Sequence, residues 1–399
     1  MNFKYLLLLF VLTFTGCSAD QNDDNIIVLS QNRGDIVSVT KIGAYTPDQI
    51  KQVMQSQGYD ISILDHLTYS VEFNKVVYLT TNQNGDLVEV SGTVLIPQTQ
   101  EAFPLFSIQH GVEFHRNNVT SVRGADIGEG LVGLVMASLG FATTIPDYLG
   151  YGESTVIHPY IHAKLTATTT IDLIRAAKKH LSSTNVSLNN QLFLYGYSEG
   201  GYATLATQKE IEQNYSDEFS ITAAAAAAGP YDILESVKRE FENKDYPYMP
   251  NIALLFTAYN EYYEWNKLDE IFNAPYAQKM TSLFSGNWSN QEIENQLPSS
   301  FEELMKPSFV ESVLNGSATD VISAFTENTL LDWTPRSPIR FYHGDEDQIV
   351  PYHNALTAYE NLTSAGGEVE LITLNGKNHG NANVFSIIGA MEWFYQLKQ

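Results

Sequence analysis

Ser198 has the surroundings in this sequence that best suit chemistry. It lies between Gly196 and Gly200, directly after the apolar run 192–195 and directly before an alanine-rich segment. This pattern predicts a buried strand, a sharp turn and a helix. At such a turn neighbouring backbone comes so close that side chains would clash, which glycine avoids, and the helix N-terminus favours negative charge on the serine oxygen. Ser198 is therefore a candidate nucleophile.

Candidate partners for this serine follow two later strands. A serine nucleophile needs a base to take its proton, and that base needs a carboxylate to orient it. The stretch IRFYHGDEDQIVP supplies Asp345 and Asp347 after one predicted strand. The stretch LITLNGKNHG follows the next predicted strand with His379, which alone among the nine histidines lies between the last strand and the last helix. The order Ser, Asp, His is thus available, with two aspartates open as the acid.

The elements that would position these residues alternate between strand and helix. The stretch EFNKVVYLTTNQNGDLVEVSGTVLIP predicts a hairpin that turns at 84–86, after a lead-in over 41–69 with a short helix. Short apolar strands and helices then follow in turn, including a helix over roughly 163–181. Such alternation predicts an α/β fold, with a mostly parallel sheet flanked by helices on both faces.

Residues 232–334 interrupt this alternation. They are rich in Tyr, Phe, Trp and Asn, show helical patches and contain no clear buried strand. We interpret them as a helical cap on a core formed by 41–231 and 335–399. An aromatic-rich cap above a nucleophile would enclose an apolar pocket and exclude water. The alternative is that Tyr259, Tyr262, Tyr263 and Trp265 only pack the cap onto the sheet, so none of them is assigned to binding.

The composition excludes several classes of function. The 399 residues are 44% hydrophobic and 17% charged, which is enough apolar material for a large folded core. The formal net charge of −24 repels phosphate backbones, and no Lys/Arg cluster offsets it, so nucleic-acid binding is not expected. The candidate chemistry needs neither a metal nor an organic cofactor, and we predict none.

From about residue 70 to the C-terminus, these motifs resemble the α/β-hydrolase superfamily. The acid in that superfamily often lies in a G-x-x-D-x-x-V-P run, which Gly344, Asp347, Val350 and Pro351 match. The resemblance therefore implies that Asp347 is the acid. Asp345 is the alternative, and its other role would be to cap the loop or the following helix.

The same resemblance implies an oxyanion hole made of two backbone N–H groups. The amide of Glu199, next to the nucleophile, would be one donor. The stretch SIQHGVEF resembles the superfamily's His-Gly turn, which implies the amide of Val112 as the second donor. His110 would orient this loop by hydrogen bonding.

A further segment resembles a subgroup of the superfamily. The stretch IPDYLGYGESTVIHPYI is similar to the P-D-Y-x-G-x-G-x-S and H-P-Y segments of bacterial and fungal secreted lipases and related esterases. In those proteins the stretch follows the fourth strand and shapes the wall of the acyl or leaving-group pocket. We expect Asp147 within it to bond loop amides rather than to catalyse.

The N-terminus indicates export. Lys4 precedes the apolar run 5–12, and Gly16 and Cys17 follow, which is typical of a signal peptide over 1–16. Cys17 is the single cysteine of the chain, and FTGC resembles a bacterial lipobox, in which the cysteine becomes the lipidated N-terminus. Residues 17–40 would then form a lipidated tether to a bacterial membrane, on the periplasmic or the external face of an outer membrane. The alternative is an ordinary signal peptide that contains a cysteine.

Together these patterns predict an exported serine hydrolase that cleaves carboxylic esters, as a lipase or carboxylesterase, through a Ser-His-Asp triad and an acyl-enzyme. Its partners would be a small-molecule or glycan-linked ester and, through the lipid anchor, a membrane. Three alternatives remain: a polysaccharide acetyl or feruloyl esterase, a serine peptidase of the prolyl-oligopeptidase type, and a non-catalytic glycan-binding lipoprotein.

The assignment of Cys17 as a lipidation site predicts how its replacement behaves. Because buried acyl chains would hold the protein at the membrane, Cys17→Ser is expected to move it into the soluble fraction and to abolish labelling by radioactive palmitate. Ester hydrolysis should persist, since the substitution lies outside the predicted core. Fractionation of wild-type and variant cells checks this, and a variant that still sediments with membranes would contradict the lipoprotein hypothesis.

Overall fold

A single sheet organises the protein. The computed structural model describes residues 31–399 except 60, 100, 185 and 245. Within these residues the sheet has nine strands, in the order β1-β2-β3-β5-β4-β6-β7-β8-β9. The strands are β1 (Ile36–Tyr45), β2 (Val71–Thr81), β3 (Leu87–Pro97), β4 (Ala102–Gln109), β5 (Ala142–Pro146), β6 (Ser187–Tyr197), β7 (Ala223–Ala227), β8 (Ile339–Gly344) and β9 (Val369–Leu374).

The predicted mostly parallel sheet is confirmed. Strands β5, β4, β6, β7, β8 and β9 pair in parallel, whereas β1, β2 and β3 form an antiparallel extension that joins β5. The predicted hairpin is β2 and β3, paired from Val71↔Pro97 to Thr81↔Leu87. Parallel strands bring their carboxyl ends to one edge of the sheet, so residues that follow β4, β6, β8 and β9 meet there.

Helices cover both faces of the sheet and fill the segment between β7 and β8. They are α1 (Pro47–Ser56), α2 (Thr120–Arg123), α3 (Gly128–Ser138), α4 (Ala163–Ser183), α5 (Glu199–Asn214), α6 (Ile233–Asn243), α7 (Met249–Tyr262), α8 (Leu268–Ile271), α9 (Met280–Leu283), α10 (Asn290–Gln296), α11 (Phe301–Leu304), α12 (Pro307–Leu314), α13 (Thr319–Asn328), α14 (His353–Ser364) and α15 (His379–Leu397). Because successive strand residues face opposite sides, Phe193 packs with α3 and α15, whereas Leu194 packs with α4 and α5.

The fold begins earlier than the sequence predicted. Residues 36–40, which we placed in the tether, belong to β1 and pair with β2. Further upstream, Arg33 donates to the buried carboxylate of Asp172 over 3.0 Å. The tether boundary at residue 40 is therefore wrong. The predicted signal peptide and Cys17 lie outside the described residues, and no helix among the described residues is long and apolar enough to span a membrane.

The inserted helices α6–α13 lie against the loops that follow β4 and β5. The Arg116 amide donates to the Gly286 carbonyl over 2.9 Å, and Phe114 packs on Phe284 with 5.9 Å between ring centroids. The Tyr259 hydroxyl donates to the Ile161 carbonyl over 3.0 Å. Tyr259 also stacks on Tyr263, so these aromatic side chains serve the packing of the inserted helices.

Candidate active site

Ser198 occupies a sharp turn between β6 and α5. Its backbone has φ 59° and ψ −124°, which a residue with a side chain rarely adopts. A Cβ added at Gly196 would lie 2.1 Å from the Gly200 carbonyl oxygen, and one added at Gly200 would lie 2.0 Å from that of Gln109. Neither position can hold a side chain, which is the physical reason for the Gly-x-Ser-x-Gly pattern. The turn leaves Ser198 partly exposed at the carboxyl edge of the sheet.

The structure brings Ser198, His379 and Asp347 into one hydrogen-bonded chain. His379 Nε2 lies 3.0 Å from Ser198 Oγ, and His379 Nδ1 lies 2.6 Å from Asp347 Oδ2. His379 is the first residue of α15, and the Tyr197 hydroxyl donates to its carbonyl oxygen. With Nδ1–H directed at the carboxylate, Nε2 is free to accept the serine proton.

The environment of Asp347 keeps its carboxyl group ionised. Burial acts to raise the pKa of Asp347, but hydrogen bonds from His343 and His379 outweigh it and lower the pKa to about 2. The amides of Ile349 and Val350 also donate to Oδ1, both over 2.9 Å. Hydrogen bonds to the charged form stabilise it, so this carboxylate can hold His379 in one tautomer and balance its positive charge.

His343 is a member of the site that sequence reasoning missed. Its Nε2 lies 3.3 Å from Asp347 Oδ2 and 2.7 Å from the Val350 carbonyl oxygen. A carbonyl only accepts, so Nε2 carries a proton that it shares between the two oxygens. The position of His343 at the end of β8, four residues before the acid, was the only signal in the sequence.

Asp345 does not reach the histidine. Its Oδ1 accepts from the Gly376 amide over 2.6 Å, and the residue is exposed. This bond ties the loop after β8 to the loop after β9. The structure therefore places the alternative aspartate in the loop-capping role and Asp347 beside His379.

The loop after β4 lies next to the nucleophile. A Cβ added at Gly111 would lie 3.8 Å from Ser198 Cβ, so the adjoining amide of Val112 is close to the serine. Among the described residues, neither the Val112 nor the Glu199 amide donates to another group of the protein. Two unpaired N–H groups beside a nucleophile can stabilise a developing oxyanion. His110 bonds within this loop, with Nδ1 2.6 Å from the Gly111 carbonyl oxygen.

Asp147 links the backbone segments that flank the site. It is fully buried, accepts from Ser91 Oγ over 2.6 Å, and lies 3.4 Å from the Ser121 amide. Burial raises its pKa, and the hydrogen bonds from Ser121 and Ser91 oppose that effect. Asp147 does not contact the nucleophile, and its bonds tie the segment after β5 to β3 and α2. In the described part of the chain, no three His, Cys, Asp or Glu side chains are placed to hold a metal ion.

The sheet and the site together define an α/β-hydrolase fold: a candidate nucleophile in a strained turn after one parallel strand, with a candidate acid and a histidine after later ones. The predicted fold is thereby confirmed. The chain belongs to the secretory lipase family, whose model matches residues 126–396.

Individual relatives are distant. Lipase 4 of Candida albicans is 26% identical over 233 residues, covering 57% of this chain and 48% of that protein. The secreted triacylglycerol lipase LIP5 of Malassezia furfur is 20% identical over 273 residues, covering 67% of this chain and 66% of that protein. The chain thus spans about half to two thirds of the length of these curated relatives.

A solved structure matches over nearly the whole length of both chains. The rice cell wall degrading esterase LipA of Xanthomonas oryzae superposes with a TM-score of 0.81 at 26% identity, covering 91% of this chain and 97% of that one. Because 91% of this chain is matched, most of the long segment between β7 and β8 belongs to the shared architecture.

The geometry predicts a contrast between the two aspartates. Asp347→Asn is expected to lower kcat about 10⁴-fold, because an amide beside Nδ1 favours the wrong histidine tautomer. Asp345→Asn should change kcat only slightly, since it affects a bond between two surface loops. Kinetics of both purified variants, with circular dichroism to verify folding, checks this. The opposite ranking would show that the acid is Asp345.

The low pKa of Asp347 also predicts a pH-dependent stability. The pKa in the folded protein is about 2, below the ordinary 3.8, so the unfolded state binds the proton more tightly. The stabilisation is complete above about pH 4 and is lost as the pH falls from 4 to 2. The free energy of unfolding of wild type should exceed that of Asp347→Asn by roughly 2 kcal/mol at pH 6, and urea titrations should show this gap closing below pH 4. A gap that stays constant would contradict the assignment.

Proposed function

We propose that this protein is an exported serine esterase of the secretory lipase family that cleaves carboxylic esters through an acyl-enzyme. The observation that carries the proposal is the continuous hydrogen-bonded chain from Ser198 through His379 to Asp347, with distances of 3.0 and 2.6 Å. Family membership supports an ester as the substrate. A binding protein on the same fold would have no need of this arrangement.

The geometry supports a two-step mechanism. Ser198 Oγ attacks the ester carbonyl while His379 Nε2 takes its proton, and the amides of Val112 and Glu199 stabilise the tetrahedral oxyanion. The bond to the alkoxy oxygen then breaks, and His379 returns the proton to the leaving alcohol. Water attacks the acyl-enzyme in the same way, so that the acid is released and Ser198 is regenerated. Asp347 stays ionised and balances the charge of His379 in both steps.

An apolar cavity lies beside the loop of the proposed acid. It is bounded by the inserted helices and that loop, has a volume of about 60 Å³, and is lined among others by Ile233, Val237, Ile252 and Val350. Apolar walls of this kind suit an acyl chain, and the Val350 amide at its edge donates to Asp347. Neither Ser198 nor His379 is among the residues that line it, so its volume sets no expectation for the length of the acyl chain.

One alternative substrate has specific support. LipA of Xanthomonas oryzae, which matches this chain over most of its length, is described as a rice cell wall degrading esterase. An ester attached to a plant or microbial polysaccharide is therefore the second candidate. The chemistry at Ser198 would be identical, and only the alcohol or acid bound outside the site would differ.

Export and membrane attachment belong to the proposal as well. Secreted lipases among the relatives support export, and the predicted signal peptide followed by Cys17 supports a lipid anchor on a bacterial membrane. The anchor would hold the hydrolase near esters that approach from outside the cell.

Hydrolysis of a series of p-nitrophenyl esters, from acetyl to palmitoyl, tests the proposed activity. The protein from residue 18 should hydrolyse esters of this series, and Ser198→Ala should abolish this because no other nucleophile replaces the serine. A maximum at long chains would indicate a lipase, and a maximum at acetyl would indicate an acetyl-type esterase. Activity that persists in Ser198→Ala, or no activity on any ester including acetylated and feruloylated polysaccharide, would overturn the proposal.

A further inference from the structure

A buried histidine–glutamate pair lies directly behind the nucleophile. Glu199, the residue after Ser198, has a side chain that is 0% exposed, and its Oε1 lies 2.5 Å from Nε2 of His158, whose side chain is 4% exposed. The second oxygen, Oε2, has no partner among the described residues. A carboxylate buried in this way is strongly destabilised unless it is paired, so Glu199 depends on His158.

The hydrogen bonds of His158 fix where its protons lie. Nδ1 is 2.8 Å from the Leu149 carbonyl oxygen, which can only accept, so Nδ1 carries a proton. A second proton then lies between Nε2 and Oε1, whether it is bound to the imidazole or to the carboxyl group. Either way the pair has no net charge. This matters because the negative oxyanion forms on the carbonyl oxygen of the substrate, within reach of the Glu199 amide.

Two tyrosines connect this pair to the other side of the oxyanion hole. The ring of His158 stacks on Tyr151, with centroids 4.4 Å apart, and on Tyr148, with centroids 5.9 Å apart. The Tyr148 hydroxyl donates to the His110 carbonyl over 3.3 Å. The Tyr151 hydroxyl donates to the Glu113 carbonyl and accepts from the Glu113 amide. The two tyrosines thus hold the backbone on both sides of Gly111 and Val112.

We propose that His158 and Glu199 are positioning residues that, with Tyr148 and Tyr151, fix the two oxyanion donors relative to each other. The Glu199 side chain anchors the donor next to the nucleophile, and the tyrosines stacked on His158 anchor the donor of Val112. The inference rests on the proposed function and deepens it, because it gives the buried side chains of the segment 147–160 the role of holding the oxyanion hole in place. No group of this unit touches the substrate except through the two amides.

Such a unit acts on the transition state more than on the bound ester. A ground-state carbonyl bonds weakly to the two amides, whereas the oxyanion bonds strongly. Displacing one donor should therefore lower kcat and leave KM almost unchanged. A purely structural role would reduce the amount of folded enzyme without changing kcat per active site.

The first experiment compares two replacements of Glu199. Glu199→Ala removes the anchor and should lower kcat about 10- to 100-fold, less than the loss of a whole donor, with KM within about threefold. Glu199→Gln should recover at least half of that loss on a logarithmic scale, since its amide N–H can donate to the unprotonated Nε2 of a neutral His158. Active sites are counted by titration with a fluorophosphonate, so that misfolded protein does not lower kcat.

The second experiment tests the connection through the tyrosines and does not disturb the buried pair. Tyr151→Phe keeps the stack on His158 but removes the hydroxyl that holds Glu113, and should lower kcat about tenfold with KM unchanged. Tyr78→Phe is the matched control. Tyr78 is also fully buried and donates to a backbone carbonyl, that of Thr169 in α4 over 2.9 Å, and this bond reaches neither loop of the oxyanion hole. Its kcat should equal that of wild type.

The outcomes separate this inference from the proposed function. If wild type hydrolyses esters and Ser198→Ala does not, then equal kcat in Tyr151→Phe and Tyr78→Phe, or equal losses in Glu199→Ala and Glu199→Gln, overturns the positioning role alone. If wild type hydrolyses no ester, the proposed function fails. The inference is then decided by the rate at which the fluorophosphonate modifies Ser198, because its P=O oxygen needs the same two amides.

Discussion

The close approach of backbone at the Ser198 turn is the constraint on which the site depends. Carbonyl oxygens of β4 and β7 lie where the side chains of Gly200 and Gly201 would be, at 2.0 and 2.1 Å from an added Cβ. The Ser198 amide donates to the Ala227 carbonyl over 2.9 Å. A positive φ at a non-glycine residue costs about 1 to 3 kcal/mol, and this packing of three strands and α5 holds it in place. His379, Asp347 and the two candidate amide donors all follow the carboxyl ends of strands at the edge of the sheet where Ser198 lies.

A structural feature can be predicted from the sequence when the residues that determine it lie close together along the chain, and is missed when they lie far apart. The Ser198 turn follows from neighbours within a few positions, and the parallel strands follow from continuous apolar runs, so both could be predicted. Strand β1 is mostly exposed at the sheet edge, and it offers no apolar face to recognise. Which of Asp345 and Asp347 contacts His379 depends on the path of their loop, so the residue types alone left both as candidates for the acid. The partnership of His158 and Glu199 spans 41 positions, and only the folded chain reveals it.

Three buried carboxylates of this acidic protein, Asp172, Asp347 and Glu199, have different kinds of ion-pair partner. Asp172, remote from the serine, pairs with Arg33 and Arg175, which carry permanent charge. Asp347 and Glu199, on either side of the nucleophile, instead pair with histidines, and in the described part of the chain all ion pairs that involve histidine lie there. Histidine can share a proton rather than fix a charge. Asp347 thus stays ionised beside a histidine that can take up the serine proton, whereas Glu199 and His158 share a proton between them.

The loop after β4 is bonded both to the inserted helices and to the buried tyrosines Tyr148 and Tyr151. Arg116 bonds to the Gly286 carbonyl of the insertion, three residues after the Glu113 carbonyl that Tyr151 holds. A displacement of the insertion by a bulky substrate would therefore pull on the loop that carries Val112. The bonds at Glu113 and His110 oppose that pull, because they tie the loop to a stack that is buried beneath it. In the proposed mechanism these bonds would keep the oxyanion donors in place when an ester binds against the insertion, which separates the binding of the ester from the chemistry at Ser198.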